Sequence, residues 1–142
     1  MEQRRFSPSM SVDVINKELA DSLIGNLKIQ IVRVGDGIVE AVMPVCRSTC
    51  RPDGCLHGGA SLALAETVAG LGSFLLVDAD CDVRGIQVSA SHTGTLSDGL
   101  AYATATVIHR GRTTHIWNVD VKTSDGRLLS TSRVTNMILR KK

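Results

Sequence analysis

The sequence predicts an α+β fold in which a curled antiparallel sheet of about six strands wraps around one long central helix. Three observations carry that prediction. Residues 58–77 form a Pro-free stretch of small and helix-forming residues, the only long apolar helix pattern in the chain. Six runs elsewhere are β-branched or alternate between apolar and polar residues, as half-buried strands do. Asp-Gly pairs at 36–37, 53–54, 98–99 and 125–126 punctuate the chain with tight turns. A sheet with one apolar face must cover it, and the single long helix is the natural filling.

Taken in order, residues 11–25, "SVDVINKELADSLIG", place Val14, Leu19, Leu23 and Ile24 at helical spacing and end on Gly25, which predicts a short amphipathic helix. "LKIQIVRV" (27–34) and "IVEAVMPV" (38–45), with Gly35-Asp36-Gly37 between them, predict a hairpin. A loop with Pro52 and Asp53-Gly54 fills 46–56. Gly70 and Gly72 in the long helix each cost about 1 kcal/mol relative to Ala, so something is expected to pack closely against the backbone there. Strands are expected at 83–92, 100–109, 113–122 and 127–139, made antiparallel by turns at 96–99, 110–112 and 124–126. In the third of them His115, Trp117, Val119 and Val121 share one face. The chain reads as one domain over 1–142, with residues 1–10 flexible.

Composition excludes some functions. The formal charge of +2 and the absence of a long Lys/Arg run argue against nucleic acid, and four aromatic side chains (Phe6, Phe74, Tyr102 and Trp117) are too few for base stacking. No segment is expected to reach the length of a membrane span, and "MEQRRFSPSM" has no apolar stretch of signal-peptide type. The expected location is the cytoplasm, where Cys46, Cys50, Cys55 and Cys81 stay reduced. Three of these with His57 make a C-x3-C-x4-C-x-H cluster, which lacks the tight C-x2-C pair of usual zinc and iron–sulfur sites. Small buried or loop thiols, and no metal, are the expectation.

One carboxylate interrupts the apolar helix. Glu66 is the only charged residue between His57 and Val77, and an ionised carboxylate on that face is costly unless paired or hydrogen-bonded. Its plain reading is a solvent-edge or structurally hydrogen-bonded Glu; its functional reading is a catalytic one. His57, Gly58 and Gly59 stand where the helix begins, with unpaired N–H groups and the positive end of the dipole, a place suited to a carbonyl or oxyanion. A capping turn with a surface His is the alternative. Nine residues of helix span about 13.5 Å and two and a half turns, so His57 and Glu66 of one chain cannot reach one carbonyl. A shared site therefore requires a second subunit.

With these residues identified, the chain resembles a hotdog-fold acyl-CoA thioesterase over residues 14–139. The landmarks are "GCLHGGASLALAET" (54–67), "GIQVSASH" (85–92), "HRGRTTHIWNVDV" (109–121) and "DGRLLSTSRVTNMIL" (125–139). It most resembles the branch holding 1,4-dihydroxy-2-naphthoyl-CoA hydrolases, the enterobactin-pathway proofreading thioesterase and PaaI-like thioesterases of phenylacetic-acid degradation. The resemblance implies that Glu66 is the catalytic carboxylate, as nucleophile or as general base. His57 and the backbone N–H of Gly59 would hold the thioester oxygen from the neighbouring subunit. Substrate and CoA would lie along Arg51, Gly58, Gly85, His92, Thr93, Gly94, Thr95, His109, Arg110, Gly111, Arg112, Thr113 and Thr114. Arg110-Gly111-Arg112 independently reads as a basic turn suited to phosphates, or as an ordinary cationic turn.

The implied reaction is hydrolysis of an aromatic acyl-CoA (1,4-dihydroxy-2-naphthoyl or hydroxybenzoyl type) or of a medium-chain one. It needs no cofactor beyond the coenzyme A of the substrate. The implied assembly is a homodimer, often a homotetramer built as a dimer of dimers, without nucleic acid or membrane. An acyl pocket is expected from Leu62, Val68 and Phe74. No G-x-S-x-G elbow is present, and a CoA thiolate leaves readily, so one carboxylate plus an oxyanion site suffices. Two residues depart from the family pattern. Arg51 stands where much of the family has Gln or Asn, and Gly70 where relatives often have Ser or Thr, with Thr67 or Ser73 as substitutes for the lost hydroxyl. Those departures favour the alternative of a non-catalytic acyl-CoA-binding hotdog module. A hotdog hydratase needs a differently arranged His and acid.

Overall fold

The computed structural model describes residues 6–142. Of the segment expected to be flexible, residues 1–5 lie outside the described residues, and Phe6 is buried with its ring 6.1 Å from that of Phe74. The amphipathic stretch at 11–25 divides into α1 (Val12–Leu19) and α2 (Leu23–Asn26). Ser22 causes the break: its hydroxyl donates to Leu19 O at 2.6 Å and accepts from the Ile24 N–H at 3.2 Å. Such side-chain bonds compete with the helical backbone, which ends one helix and starts the next.

The strands are β1 (Gln30–Gly35), β2 (Ile38–Pro44), β3 (Cys81–His92), β4 (Leu100–Arg110), β5 (Thr114–Lys122) and β6 (Leu128–Arg140), in one antiparallel sheet of order β1-β2-β4-β5-β6-β3. The expected hairpin is β1–β2, turning through Gly37 at φ +75°. One connection differs from expectation. The turn at 96–99 does not pair the strands it joins; β3 pairs with β6, and β4 pairs with β2. The long strand β3 therefore lies at the edge of the sheet, with Gly85 opposite Asn136 and His92 opposite Ser130.

The helix α3 (Gly58–Leu76) packs against β2 through β6. Leu64, Ala65, Val68 and Ala69 bury one side of it, and Ala101, Ala103 and Ala105 of β4 let the helix come close. The face of β5 that His115, Trp117, Val119 and Val121 share is the inward one, and all four are buried. The two helix glycines part company. A Cβ on Gly72 would stand 2.4 Å from the Trp117 ring, whereas one on Gly70 would meet nothing within 4 Å. The expectation about span length also changes: α3 is long and apolar enough to cross a membrane, but half of its apolar window is buried inside the protein, where it serves as the core helix.

A polar hub sets where α3 sits. Ser73 Oγ receives the Trp117 Nε1–H at 2.9 Å and the Asn136 Nδ2–H at 2.9 Å, and lies 2.9 Å from His115 Nδ1. Indole and amide nitrogens only donate, so both Ser73 lone pairs are taken and its own hydrogen goes to His115 Nδ1. His115 is thereby held neutral with its hydrogen on Nε2. Burial first, then the positive charge of Arg110 and His109, pushes its pKa below the ordinary value of 6.5. The second Asn136 amide hydrogen goes to Ala69 O at 3.1 Å.

Two measurements check this packing. Gly72→Ala should lower stability by about 1–3 kcal/mol through overlap with Trp117, while Gly70→Ala should leave it equal or raise it by up to about 1 kcal/mol, read by thermal or urea unfolding. A histidine with a depressed folded pKa makes the unfolded chain bind a proton that the folded chain refuses, so stability falls as pH drops below the unfolded value. The native protein should lose more melting temperature between about pH 7.5 and about pH 5.5 than His115→Gln does.

Candidate active site

Glu66 projects from the middle of α3 and is exposed in the single chain. Its Oε1 lies 3.0 Å from the point that a Cβ on Gly85 would occupy, so the bare glycine lets the carboxylate lie close against the strand. A β-bulge between Gly85 and Gln87 opens the ladder at the same place. Glu66 also lines an apolar cavity of about 320 Å³ together with Phe6, Leu19, Leu23, Ile24, Leu27, Ala63, Thr67, Gly70, Leu71 and Phe74. Of the three residues expected to form an acyl pocket, Phe74 lines this cavity. Val68 is turned into the core, and Leu62 is not part of the lining. The N-terminal wall was illegible in the sequence, because α1, α2 and Phe6 reach the helix only through tertiary packing. Thr67, a candidate replacement for the hydroxyl missing at Gly70, donates to Ala63 O at 2.7 Å, and Ser73 is held in the polar hub.

At the start of α3, His57 is the N-cap and its Nδ1 accepts the Gly59 N–H at 2.8 Å. The Gly59 N–H, expected to face the thioester oxygen, thus has an acceptor within its own turn in the single chain. The Gly58 N–H makes no hydrogen bond among the described residues and is the open donor of the turn. Accepting at Nδ1 places the His57 hydrogen on Nε2, so that edge of the ring is also a donor. A Cβ on Gly58 would stand 2.7 Å from His92 Nε2, and His92 Nδ1 is anchored 3.0 Å from Ser130 Oγ. Around them, Arg51, Gly58, His92, Thr93, Gly94 and Thr95 line a cavity of about 350 Å³. Arg51 is fixed there by a two-pronged ion pair with Asp53, at 2.6 and 3.1 Å.

The remaining expected residues lie at the other end of the helix. Arg110 donates to Leu76 O at 3.0 Å, capping the C-terminus of α3, and Gly111 donates to Thr114 O at 2.8 Å. The His109 ring lies over Gly111, and Thr113 O accepts from the Ile138 N–H. Arg110, Gly111 and Arg112 border a cavity of about 340 Å³ with His115 and Arg140. A 19-residue helix is about 28 Å long. The structure therefore separates the expected residues into three groups along α3: His57, Gly58 and His92–Thr95 at its start, Glu66 and Gly85 near its middle, and His109–Thr114 at its end.

All four cysteines are free thiols, and among the described residues no group of three or more His, Cys, Asp or Glu is placed to hold a metal ion.

Comparison with known proteins gives this arrangement a family. Residues 53–130 match the Thioesterase superfamily. The proofreading thioesterase EntH of Cronobacter sakazakii is 37% identical over 131 residues, covering 92% of this chain and 95% of that protein. The 1,4-dihydroxy-2-naphthoyl-CoA hydrolase of Escherichia coli is 31% identical over 130 residues, covering 92% and 96%. The crystal structure of a Haemophilus influenzae thioesterase superposes with a TM-score of 0.90 at 32% identity, covering 99% of this chain and 96% of that one. The helix wrapped by a six-stranded sheet and these likenesses agree: the chain belongs to the Thioesterase superfamily and is a thioester hydrolase of the hotdog fold.

Proposed function

We propose that the protein hydrolyses aromatic or medium-chain acyl-CoA thioesters, with Glu66 as the catalytic carboxylate and the site completed by a second copy of the chain. The observation that carries this reading is the position of Glu66, the one carboxylate on the wall of an otherwise apolar cavity. Its volume of about 320 Å³ falls at the low end of the roughly 300–1,000 Å³ of small-molecule sites. That size suits one or two rings, or a medium chain, better than a long acyl tail.

The second copy enters for a geometric reason. The donors for a thioester oxygen, the Gly58 N–H and His57 Nε2–H, stand eight and nine residues before the carboxylate and on another face of the helix. The edge strand β3 supplies the means. It is 12 residues long and its outer side has no partner among the described strands, an edge that natural sheets rarely leave bare. Antiparallel pairing of two β3 strands in a register that sets His92 of one copy opposite Gly85 of the other runs the two α3 helices in opposite directions. The start of one α3 then approaches the middle of its partner. The same pairing sets the basic turn Arg110–Arg112 of one copy near His92–Thr95 of the other, a place for the charged end of coenzyme A.

Oxyanion stabilisation at a helix start needs donors already aimed and unspent, which Gly58 meets and Gly59 does not. Thiol release from a panel of benzoyl, hydroxybenzoyl, naphthoyl, short-chain and long-chain CoA esters tests the proposal. The native protein should turn over an aromatic or medium-chain member best, and Glu66→Gln should lose about 10²-fold or more in kcat. A Glu66→Gln protein that keeps the native rate refutes the mechanism. Coenzyme A binding without turnover of any ester replaces it with a binding module.

A further inference from the structure

Two oxygen acceptors converge over Gly85 with no donor between them. One is Glu66 Oε1, 3.0 Å from the point a Cβ on Gly85 would occupy; the other is Asn136 Oδ1, 3.5 Å from the same point. Asn136 is 1% exposed, and its Oδ1 accepts no hydrogen bond among the described residues. Buried acceptors of this kind are rare and costly. The amide cannot be turned round to relieve it. Its nitrogen is committed to Ala69 O and to Ser73 Oγ, and reversing the amide would set oxygen against the Ala69 carbonyl. The polar hub thus points one acceptor at the place where Glu66 points another.

We infer that Asn136 is a positioning residue that, with Glu66, holds the attacking water over Gly85. The inference rests on the thioesterase reading with Glu66 as the carboxylate, and it adds that Glu66 acts as a general base rather than as a nucleophile. A water donating one hydrogen to each oxygen satisfies both acceptors and keeps its lone pairs free for a carbonyl carbon. Its oxygen attacks the thioester carbon, the hydrogen facing Glu66 passes to the carboxylate, and the carbonyl π pair moves onto oxygen. Collapse expels the CoA thiolate, which takes the proton back from Glu66. The hydrogen facing Asn136 stays on the acid product.

Two variants and an isotope measurement test this. Asn136→Ala removes the acceptor. Gly85→Ala puts a methyl group into the notch while leaving the Ser73 bonds intact, so it carries the test where Asn136→Ala fails to fold. Each should lower kcat at least about tenfold with KM within about threefold of native. A merely structural role would lower the melting temperature without that split. In a single turnover in heavy-oxygen water, the first product acid should carry the heavy atom and the Glu66 peptide should not. Label in the Glu66 peptide, or native kcat in folded Asn136→Ala and in Gly85→Ala, overturns the inference while the thioesterase reading stands. A native protein that cleaves no acyl-CoA, or a Glu66→Gln variant at full rate, defeats both.

Discussion

The rotation and height of α3 inside the sheet depend on Ser73. Its buried hydroxyl closes three hydrogen bonds, to Trp117 and His115 on β5 and to Asn136 on β6. Leaving any of these buried groups unpaired costs about 1–3 kcal/mol, so the helix has little freedom to slide or turn. Trp117 pressed against Gly72 adds a steric stop beside the polar one. Glu66 lies seven residues, two helical turns, before Ser73 and so on nearly the same side. The hub that secures the core thereby aims the carboxylate at Gly85.

That rigidity has a consequence for function. In the proposed mechanism α3 keeps its first-turn donors and its carboxylate apart, so a single chain would hold the parts of the site without assembling them. The bare edge of β3 is consistent with this division, since the surface that would complete the site runs alongside both α3 landmarks. The N-terminal segment builds the apolar wall beside Glu66. Phe6, α1 and α2 cover the face carrying Ala63, Thr67, Gly70 and Phe74, and they leave apolar room there because Gly70 has no side chain to fill it.

Much of the fold was legible in the chain because it is local. Alternation marked the strands, the Asp-Gly pairs marked turns, and the Pro-free run marked α3 to within a residue of its end. Pairing was not local. Nothing in residues 83–109 signals that β3 leaves β4 for β6, because strand choice is decided by which edges remain free once α3 is covered. The division at Ser22 turned on one hydroxyl preferring backbone partners. At the site, Glu66 stood out as a lone charge in an apolar run. Gly58 and Gly59 were indistinguishable until the His57 ring was seen to take one N–H and leave the other. Asn136 gave no signal at all: an amide in a strand becomes informative only when its partners across α3 are known.

The central claim is that the carboxylate and the oxyanion donors of one site come from different copies of the chain. Mixing two inactive variants, Glu66→Gln and His57→Ala, tests it most directly. Each variant alone should be slow. After unfolding and refolding them together, random pairing makes about half of the dimers mixed, and each mixed dimer has one site with both native residues, so about a quarter of the native rate should return. No recovery from a mixture shown by mass to contain mixed dimers would mean that each chain builds its site alone, contradicting the account.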